Sequence, residues 1–462
     1  MSSTVSNGQG LSSGNLTGEQ QGAITRLVEY DETLLVAPVG FGKAIIGLTA
    51  LQELLQEGVI TRALVLAPLK VATLTWGTEP EKWDFLDPGM VALAVGDADE
   101  RAAVHANTAP VVVANLDNIA DLKDLRGKYD AILIDESTKL KTVGGEWAKV
   151  LRYFVRDTVW RCCMTATPVA ESAEDIYGQA ILTDLGKTLG TRKEAFRRRY
   201  MTPADFKGYR WNLMPGMEFE LAEQLRELVY IPETAAYEAG LPELVSREVV
   251  VPMTAEQRAL YTGIDRGGRC TTRDGVKVIA GSSGQRALRK HQIAAGVLYG
   301  EEGKVAWSDT AKVDQAERMA RASDEPMILV YQYRAELAAL RERFPDAPVL
   351  GGGGSKGNAS AAEIAAWNRK EHPVLLLHPQ SASHGINLQY GGNQLLLLSP
   401  VFGADPWGQV AGRVRRRGQP ADTVERTVLC AEDSTDGAVL VRQDEKADEE
   451  ERLMAALRMQ RQ

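Results

Sequence analysis

Thr33-Leu-Leu-Val-Ala37-Pro38-Val-Gly40-Phe41-Gly42-Lys43-Ala44 is a short apolar run, then a glycine-bearing turn, then a lysine, and the apolar-rich stretch from Ile45 to Leu55 follows it. Strand, loop and helix in that order describe a phosphate cradle. Gly40 and Gly42 let backbone N–H groups close round phosphates, Lys43 reaches the outer ones, and the helix dipole adds to the pull. A glycine turn joining a core strand to a core helix has the same local signature, so the segment needs partners before it means more. Two positions depart from the general pattern. Ala37 replaces the leading glycine, and Ala44 replaces the Ser or Thr whose hydroxyl normally ligates magnesium. Magnesium bound to nucleotide keeps most of its waters. A water in the vacated position would preserve binding while hydrolysis slows.

The partners lie downstream. Ala63-Leu-Val-Leu-Ala67, Val111-Val-Val-Ala114 and Ala131-Ile-Leu-Ile134-Asp135 are apolar runs without alternation, as expected of strands buried on both faces of a parallel sheet. Asp135 and Glu136 then fall at a carboxyl strand end, where such sheets bind ligands. Asp135 is the candidate metal ligand, acting through the water shell, and Glu136 the candidate to orient or deprotonate an attacking water. A strand ending in acidic turn residues is common; the Lys43 loop upstream is what gives this one significance. Met164-Thr165-Ala166-Thr167-Pro168 ends another apolar stretch, and its hydroxyls are placed to relay the state of a bound ligand.

Far along the chain, Gln409-Val-Ala-Gly-Arg413-Val-Arg-Arg416-Arg-Gly418-Gln419 presents two arginines three residues apart. Residues i and i+3 share a helix face, so both guanidinium groups can address one anionic target such as a phosphate chain. A solvated cationic face and a nucleic-acid patch remain open from this segment alone.

Composition allows two or three domains: 462 residues, 44% hydrophobic, with a formal net charge of −9. That charge argues against indiscriminate polyanion binding, although local basic clusters can still form a track for phosphates. The acidic run between Asp444 and Glu451 contributes to it. Residues 1–15 are Ser/Gly-rich and read as a flexible tail rather than a signal peptide. Apolar runs are too short to span a bilayer, so no membrane partner is expected. Cys162, Cys163, Cys270 and Cys430 show no paired metal-ligand spacing, and reduced thiols in a cytoplasmic protein are the default.

Taken in series, Ala37 to Lys43, Leu66-Ala-Pro-Leu-Lys70, Asp135-Glu-Ser-Thr138, Thr165-Ala-Thr-Pro168, Ser383-His-Gly385-Ile-Asn387-Leu-Gln389 and Gln409 to Gln419 resemble superfamily-two helicase-like ATPases of the Swi/Snf type, nearest to compact members encoded by bacteriophages. A DEAD-box RNA helicase would carry Asp-Glu-Ala-Asp and a closing Gly-Arg instead. The resemblance covers about Leu16 to Thr435. It implies an α/β chain with two tandem RecA-like doubly wound parallel-sheet lobes and a helical protrusion between them. The expected divisions are a tail at 1–15, an ATP-binding lobe at 16–184, the protrusion at 185–305, a second lobe at 306–440 and a charged helix or tail at 441–462.

Carried over by position, the resemblance gives Lys43, Asp135 and Glu136 to the nucleotide site, with Pro38, Gly40, Phe41, Gly42, Ala44 and Gln409 beside them. Gln20 matches the adenine-reading glutamine, although Glu19 stands where an aromatic residue is usual. Arg413 and Arg416 become arginine fingers from the second lobe. ATP and magnesium are the implied cofactors, and duplex DNA the implied partner, gripped without sequence preference by phosphate contacts near Lys70, Asn115, Arg334, His384 and Asn387. His384 is equally suited to be an ordinary hydrogen-bonded loop histidine. The expected form is a monomer in the host cytoplasm, with replication or recombination proteins as possible associates. An ATP-gated DNA clamp with little turnover is the alternative that Ala44 keeps open. The basic-aromatic stretch holding Lys193, Arg197, Arg198, Arg199, Lys207 and Arg210 among Phe196, Tyr200, Tyr209 and Trp211 is either a surface resting on DNA or a solvated helix face.

Overall fold

A computed structural model describes residues 11–140, 146–170, 172–204, 208, 210–234, 238, 240–300, 303–351, 359–379, 387–401 and 404–460. Its contacts divide the chain into two units, Met1–Ala235 with Lys446–Gln462, and Ala236–Glu445.

The apolar runs of the first unit form an all-parallel, seven-stranded sheet in the order β3-β4-β2-β5-β6-β1-β9. Its strands are β1 (Glu32–Val36), β2 (Ala63–Ala67), β3 (Val91–Ala94), β4 (Val111–Asn115), β5 (Ala131–Asp135), β6 (Trp160–Thr165) and, after a short antiparallel hairpin of β7 (Met201–Pro203) and β8 (Trp211–Leu213), β9 (Val229–Tyr230). The central strands β2, β4, β5 and β6 are buried along their whole length. That is why their sequences do not alternate: both faces carry helices. Helix α1 (Gly18–Glu29) precedes β1 and α2 (Lys43–Gln56) follows it.

The region after residue 185 contributes to this unit in ways its composition hides. Phe196 and Tyr200 of the helix Lys193–Tyr200 enter the core beside Tyr177, and β9 adds an edge to the sheet beside β1. The cations in between are largely neutralised. Lys193 and Arg197 both pair with Glu174, Arg199 pairs with Glu220, and the Arg197 guanidinium lies over the Trp211 ring at 4.9 Å. Lys207 and Tyr209 lie outside the described residues. The expected charged segment near the end is the close of a helix, Asp436–Met459, whose Leu453, Ala456 and Leu457 belong to the core of the first unit.

The second unit is built on an all-parallel, six-stranded sheet in the order β10-β19-β18-β15-β17-β16. Here β10 is Glu243–Val251; β11 (Arg269–Thr271) with β12 (Lys277–Ile279) and β13 (Val297–Tyr299) with β14 (Val305–Ser308) are hairpins inserted after it. The sheet resumes with β15 (Met327–Val330), β16 (Val349–Leu350), β17 (Val374–Leu377), β18 (Gln394–Leu397) and β19 (Thr423–Ala431). Two tandem RecA-like α/β lobes are therefore present, as expected. Among the described residues no helix is long and apolar enough to cross a membrane.

A buried ion pair ties the second unit together. The Lys312 ammonium, on the helix Ala311–Arg321, donates to Asp436 Oδ2 at 2.8 Å and to Ser399 Oγ at 3.0 Å, and Asp436 also accepts from the Ala431 N–H. Lys312 is 4% exposed and Asp436 not at all. Removing one partner strands the other charge without solvent, which costs about 3–5 kcal/mol, whereas an apolar pair of similar volume is often neutral. Lys312→Ala is thus expected to lower the urea midpoint sharply, and Lys312→Met with Asp436→Leu to recover most of it.

Candidate functional site

Strands β5, β6 and β1 are neighbours, and their ladders align Asp135 with Met164 and Val36 with Thr165. The phosphate loop, the acidic turn and the Thr165-Ala-Thr167 turn consequently meet at one carboxyl edge, the end at which open parallel sheets bind ligands.

The loop is shaped by two left-handed glycines, Gly40 at φ 84° and Gly42 at φ 93°, the second capping α2. Gln20 holds it from outside. Its Oε1 accepts from the Thr17 N–H at 2.9 Å in the capping box of α1, while its Nε2 donates to the Phe41 carbonyl at 2.8 Å. A Cβ on residue 42 would stand 2.5 Å from that same Nε2, so only glycine satisfies both the turn and the clamp. Lys43 folds back over the loop, with Nζ 3.3 Å from the Ala37 carbonyl and 3.4 Å from that of Pro38. Ala44 is buried in the first turn of α2 and offers a methyl where a hydroxyl would stand.

Asp135 is set by a residue that the sequence reading passed over. The Trp76 indole is fully buried and donates to Asp135 Oδ2 at 2.9 Å, and the Glu136 N–H donates to Oδ1 at 3.0 Å. Trp76 also packs on α2 where Gly47 leaves no room: a Cβ there would lie 2.7 Å from Trp76 and 2.9 Å from Leu133. The only available signal was a lone tryptophan six residues beyond Lys70. Glu136 takes the left-handed conformation, φ 54°, a strained state that non-glycine residues keep chiefly at functional turns, at a cost of about 1–3 kcal/mol. Behind it, Ser137 donates to Gln179 Oε1 at 2.7 Å, and the Thr138 and Thr165 hydroxyls are 2.8 Å apart. Thr165 Oγ1 accepts from the Thr167 N–H at 3.1 Å. The acidic turn and the Thr-Ala-Thr turn thus share one hydroxyl chain. The donor set suits a magnesium nucleotide: one carboxylate oriented by two donors at the mouth of a loop with a lysine.

Residues expected along a DNA track occupy other strand ends. In the first unit, Lys70 follows β2, where partial burial lowers its pKa, and Asn115 ends β4 and accepts from the Asp117 N–H at 3.2 Å. In the second unit, Arg334 is the exposed first residue of a helix after β15. Asn387, after β17, accepts through Oδ1 from the Arg416 guanidinium, and the Leu388 N–H donates to the Arg413 carbonyl at 3.2 Å. Two motifs separated in sequence are therefore joined. Gly418, left-handed at φ 88°, turns the chain so that Gln419 Nε2 caps the Val414 carbonyl at 3.2 Å and reaches that of Gly392 at 3.1 Å. This is the physical role of the closing Gly-Gln. Arg413 is 8% exposed at the end of the helix Ala404–Val414, which also carries Gln409. His384 and the Gln409 side chain lie outside the described residues. All four cysteines are free and buried, and burial pushes the Cys163 thiol up to about 12.

The two lobes, each built on its own parallel sheet, are those of a tandem-lobe enzyme of the ATPase type. Residues 23–301 match the family model described as "SNF2-related domain", and the chain belongs to that family. A relative, "Putative protein p41" of Acyrthosiphon pisum secondary endosymbiont phage 1, is 29% identical over 456 residues, covering 94% of this chain and 97% of that protein. The solved "Sulfolobus solfataricus SWI2/SNF2 ATPase core in complex with dsDNA" is 20% identical with a TM-score of 0.43, covering 94% of each chain. The expected Swi/Snf membership, with a phage-encoded relative, is met.

Two measurements follow from this geometry. Trp76→Phe keeps an aromatic ring but strips a donor from a buried carboxylate, worth about 1–3 kcal/mol, and leaves a cavity that adds to the loss; the expected loss of stability is read from urea unfolding. Glu336, which caps the Arg334 helix by accepting from the N–H groups of Gln332 and Tyr333, is fully buried, and burial raises its carboxyl from 4.5 to about 7. The folded state holds that proton in a window where the unfolded chain has lost it. Its contribution therefore falls as pH rises from about 4.5 to about 7. Unfolding midpoints compared at about pH 5 and pH 8 are expected to separate less in Glu336→Gln than in the wild type.

Proposed function

We propose that this chain is a DNA-stimulated ATPase motor acting on duplex DNA without sequence preference. The observation that carries the reading is the convergence of the Gly40–Gly42 loop, Lys43, Asp135 and the Thr165 turn on one sheet edge, with Asp135 oriented by Trp76. Lys43 would leave its loop carbonyls for the outer phosphates, Gln20 would hold the loop in shape, and Glu136 would orient the attacking water. Magnesium, held through Asp135, would neutralise charge developing on the phosphates. Arg413 and Arg416 would stabilise the transferred group, a contribution on the order of a thousandfold or more in rate. Coupling hydrolysis to the Arg334, Asn387, Lys70 and Asn115 neighbourhoods would then move the chain along phosphates.

Ala44 favours a second reading, an ATP-gated clamp that binds DNA with little turnover. Phosphate release measured with and without duplex DNA separates the two. For a motor, DNA stimulates release, Lys43→Ala abolishes it, and Arg413→Ala and Arg416→Ala each lower it by about a thousandfold while nucleotide affinity changes little. ATP binding without release would select the clamp. Ala44→Thr is expected to raise turnover severalfold, and an unchanged rate would mean that the missing hydroxyl is immaterial.

A further inference from the structure

The insertion that follows β10 carries its charge differently from the rest of the chain. Between Ala255 and Gly300 stand eight basic and three acidic residues, a surplus of five positive charges in a chain whose net charge is −9. Some of these cations are used internally. Arg258 pairs with Glu432 and Asp433, Lys290 with Asp265, and Arg286 and Arg289 donate to the Ala280 and Tyr299 carbonyls. Arg266, Arg269, Arg273 and Lys277 are exposed and form no ion pair among the described residues. Of the insertion's other carboxylates, Glu256 accepts from the Arg273 backbone N–H, and Asp274 stands at the hairpin turn.

The cations sit on a rigid platform. In the β11–β12 hairpin the pair Cys270–Val278 faces the insertion's own core, with Leu260, Ile264, Ile293 and Trp307. Alternation then forces the flanking pairs, Arg269–Ile279 and Thr271–Lys277, onto the opposite face. The turn between the strands is closed by the Thr272 N–H to the Val276 carbonyl at 2.9 Å and by Thr272 Oγ1, which accepts from the Val276 N–H at 3.2 Å. The helix Ala255–Gly267 meets the hairpin so closely that a Cβ at Gly263 would lie 2.8 Å from the Arg269 carbonyl. An open groove of about 1070 Å³ runs between them, with Glu256, Leu260 and Gly263 on the helix side and Arg269, Arg273 and Lys277 on the hairpin side.

We infer that this hairpin is a second binding site for the sugar-phosphate backbone of duplex DNA, additional to the strand-end track and independent of bound nucleotide. The inference rests on the reading of the chain as a DNA-dependent enzyme. Charge complementarity selects the occupant. Exposed guanidinium and ammonium groups that outnumber the carboxylates beside them, Glu256, Asp265 and Asp274, match a polyanion that presents one phosphate per roughly 3.4 Å of strand. An acidic protein partner would need an apolar centre to its interface, and this face offers only isolated apolar side chains such as Ile279, which is 72% exposed. The cations lie on the inserted hairpin and not on the elements that hold the phosphate loop, so the grip persists when ATP is absent.

The test uses the full-length protein with Arg269→Glu, Arg273→Glu and Lys277→Glu combined, beside the milder triple glutamine variant, titrated with a fluorescent duplex at several salt concentrations and no nucleotide. Each phosphate contact adds about 0.9 to the slope of log affinity against log salt. Both variants are expected to lose between 2 and about 3 from that slope, and the glutamate variant at least tenfold in affinity, with fluorescent ATP-analogue binding and the melting profile unchanged. Wild-type slopes in both variants, with wild-type duplex binding intact, would overturn this site, leave the DNA reading standing and point to an acidic protein surface instead. A wild-type protein that binds no duplex at all would overturn both.

Discussion

The first lobe's site depends on one close approach, the Trp76 ring wedged between Gly47 of the phosphate helix and the Asp135 carboxylate. Because residue 47 has no side chain, α2 settles onto β5 and β6 at a distance that leaves room for the indole and nothing else. The indole N–H then fixes the carboxylate that the loop faces. Position and orientation thus come from the same contact, so a shift of α2 moves the loop and releases the acid together. Protein interiors are packed densely enough that such a displacement cannot be absorbed locally. Gln20 does the corresponding work on the outer side of the loop, using both ends of one carboxamide to join α1 to Phe41. The glutamine expected to read adenine is thus a structural clamp in this fold, and the left-handed Gly42 is required as much by that clamp as by the turn.

How much of this was legible in the sequence depended on the range of the interaction. The strands β2, β4 and β5 announce themselves as unbroken apolar runs, and Gly40, Gly42 and Lys43 follow a spacing dictated by local backbone geometry. Those signals lie within a dozen residues. The roles of Trp76, Gly47 and Gln419 do not, because each is defined by a partner brought in by the fold: Asp135, Leu133 and the Gly392 carbonyl. β9 and the core-forming role of the closing helix were hidden for the same reason. A two-residue edge strand has no periodicity to read, and Leu453, Ala456 and Leu457 are too few among charges to mark a core-forming segment.

Charge shows the limit most clearly. In sequence the run from Lys193 to Arg199 is a dense basic cluster, and its aromatics add to the likeness of a nucleic-acid surface. Folding spends those aromatics on the core and three of the cations on Glu174 and Glu220. The sparser cations of the β11–β12 hairpin attract no notice in one dimension, yet Arg269 and Lys277 emerge on one face, and neither forms an ion pair among the described residues. Counting charges gives the total; only pairing gives the field that a polyanion meets.

On the proposed reading, Ala44 would separate binding from turnover, for a reason that can be bounded. The groups that recognise phosphate in such a loop are backbone N–H donors, the helix dipole and Lys43, none of which depends on the side chain at position 44. Losing the hydroxyl affects only the metal's ligand shell, where water is already the commonest ligand. Ordering one more water costs at most about 2 kcal/mol, roughly a thirtyfold change in rate if all of it falls on the transition state. That ceiling is far below what a missing arginine finger or phosphate-loop lysine removes. An alanine at this position is thus compatible with a slow enzyme, and a complete loss of hydrolysis would require some further defect.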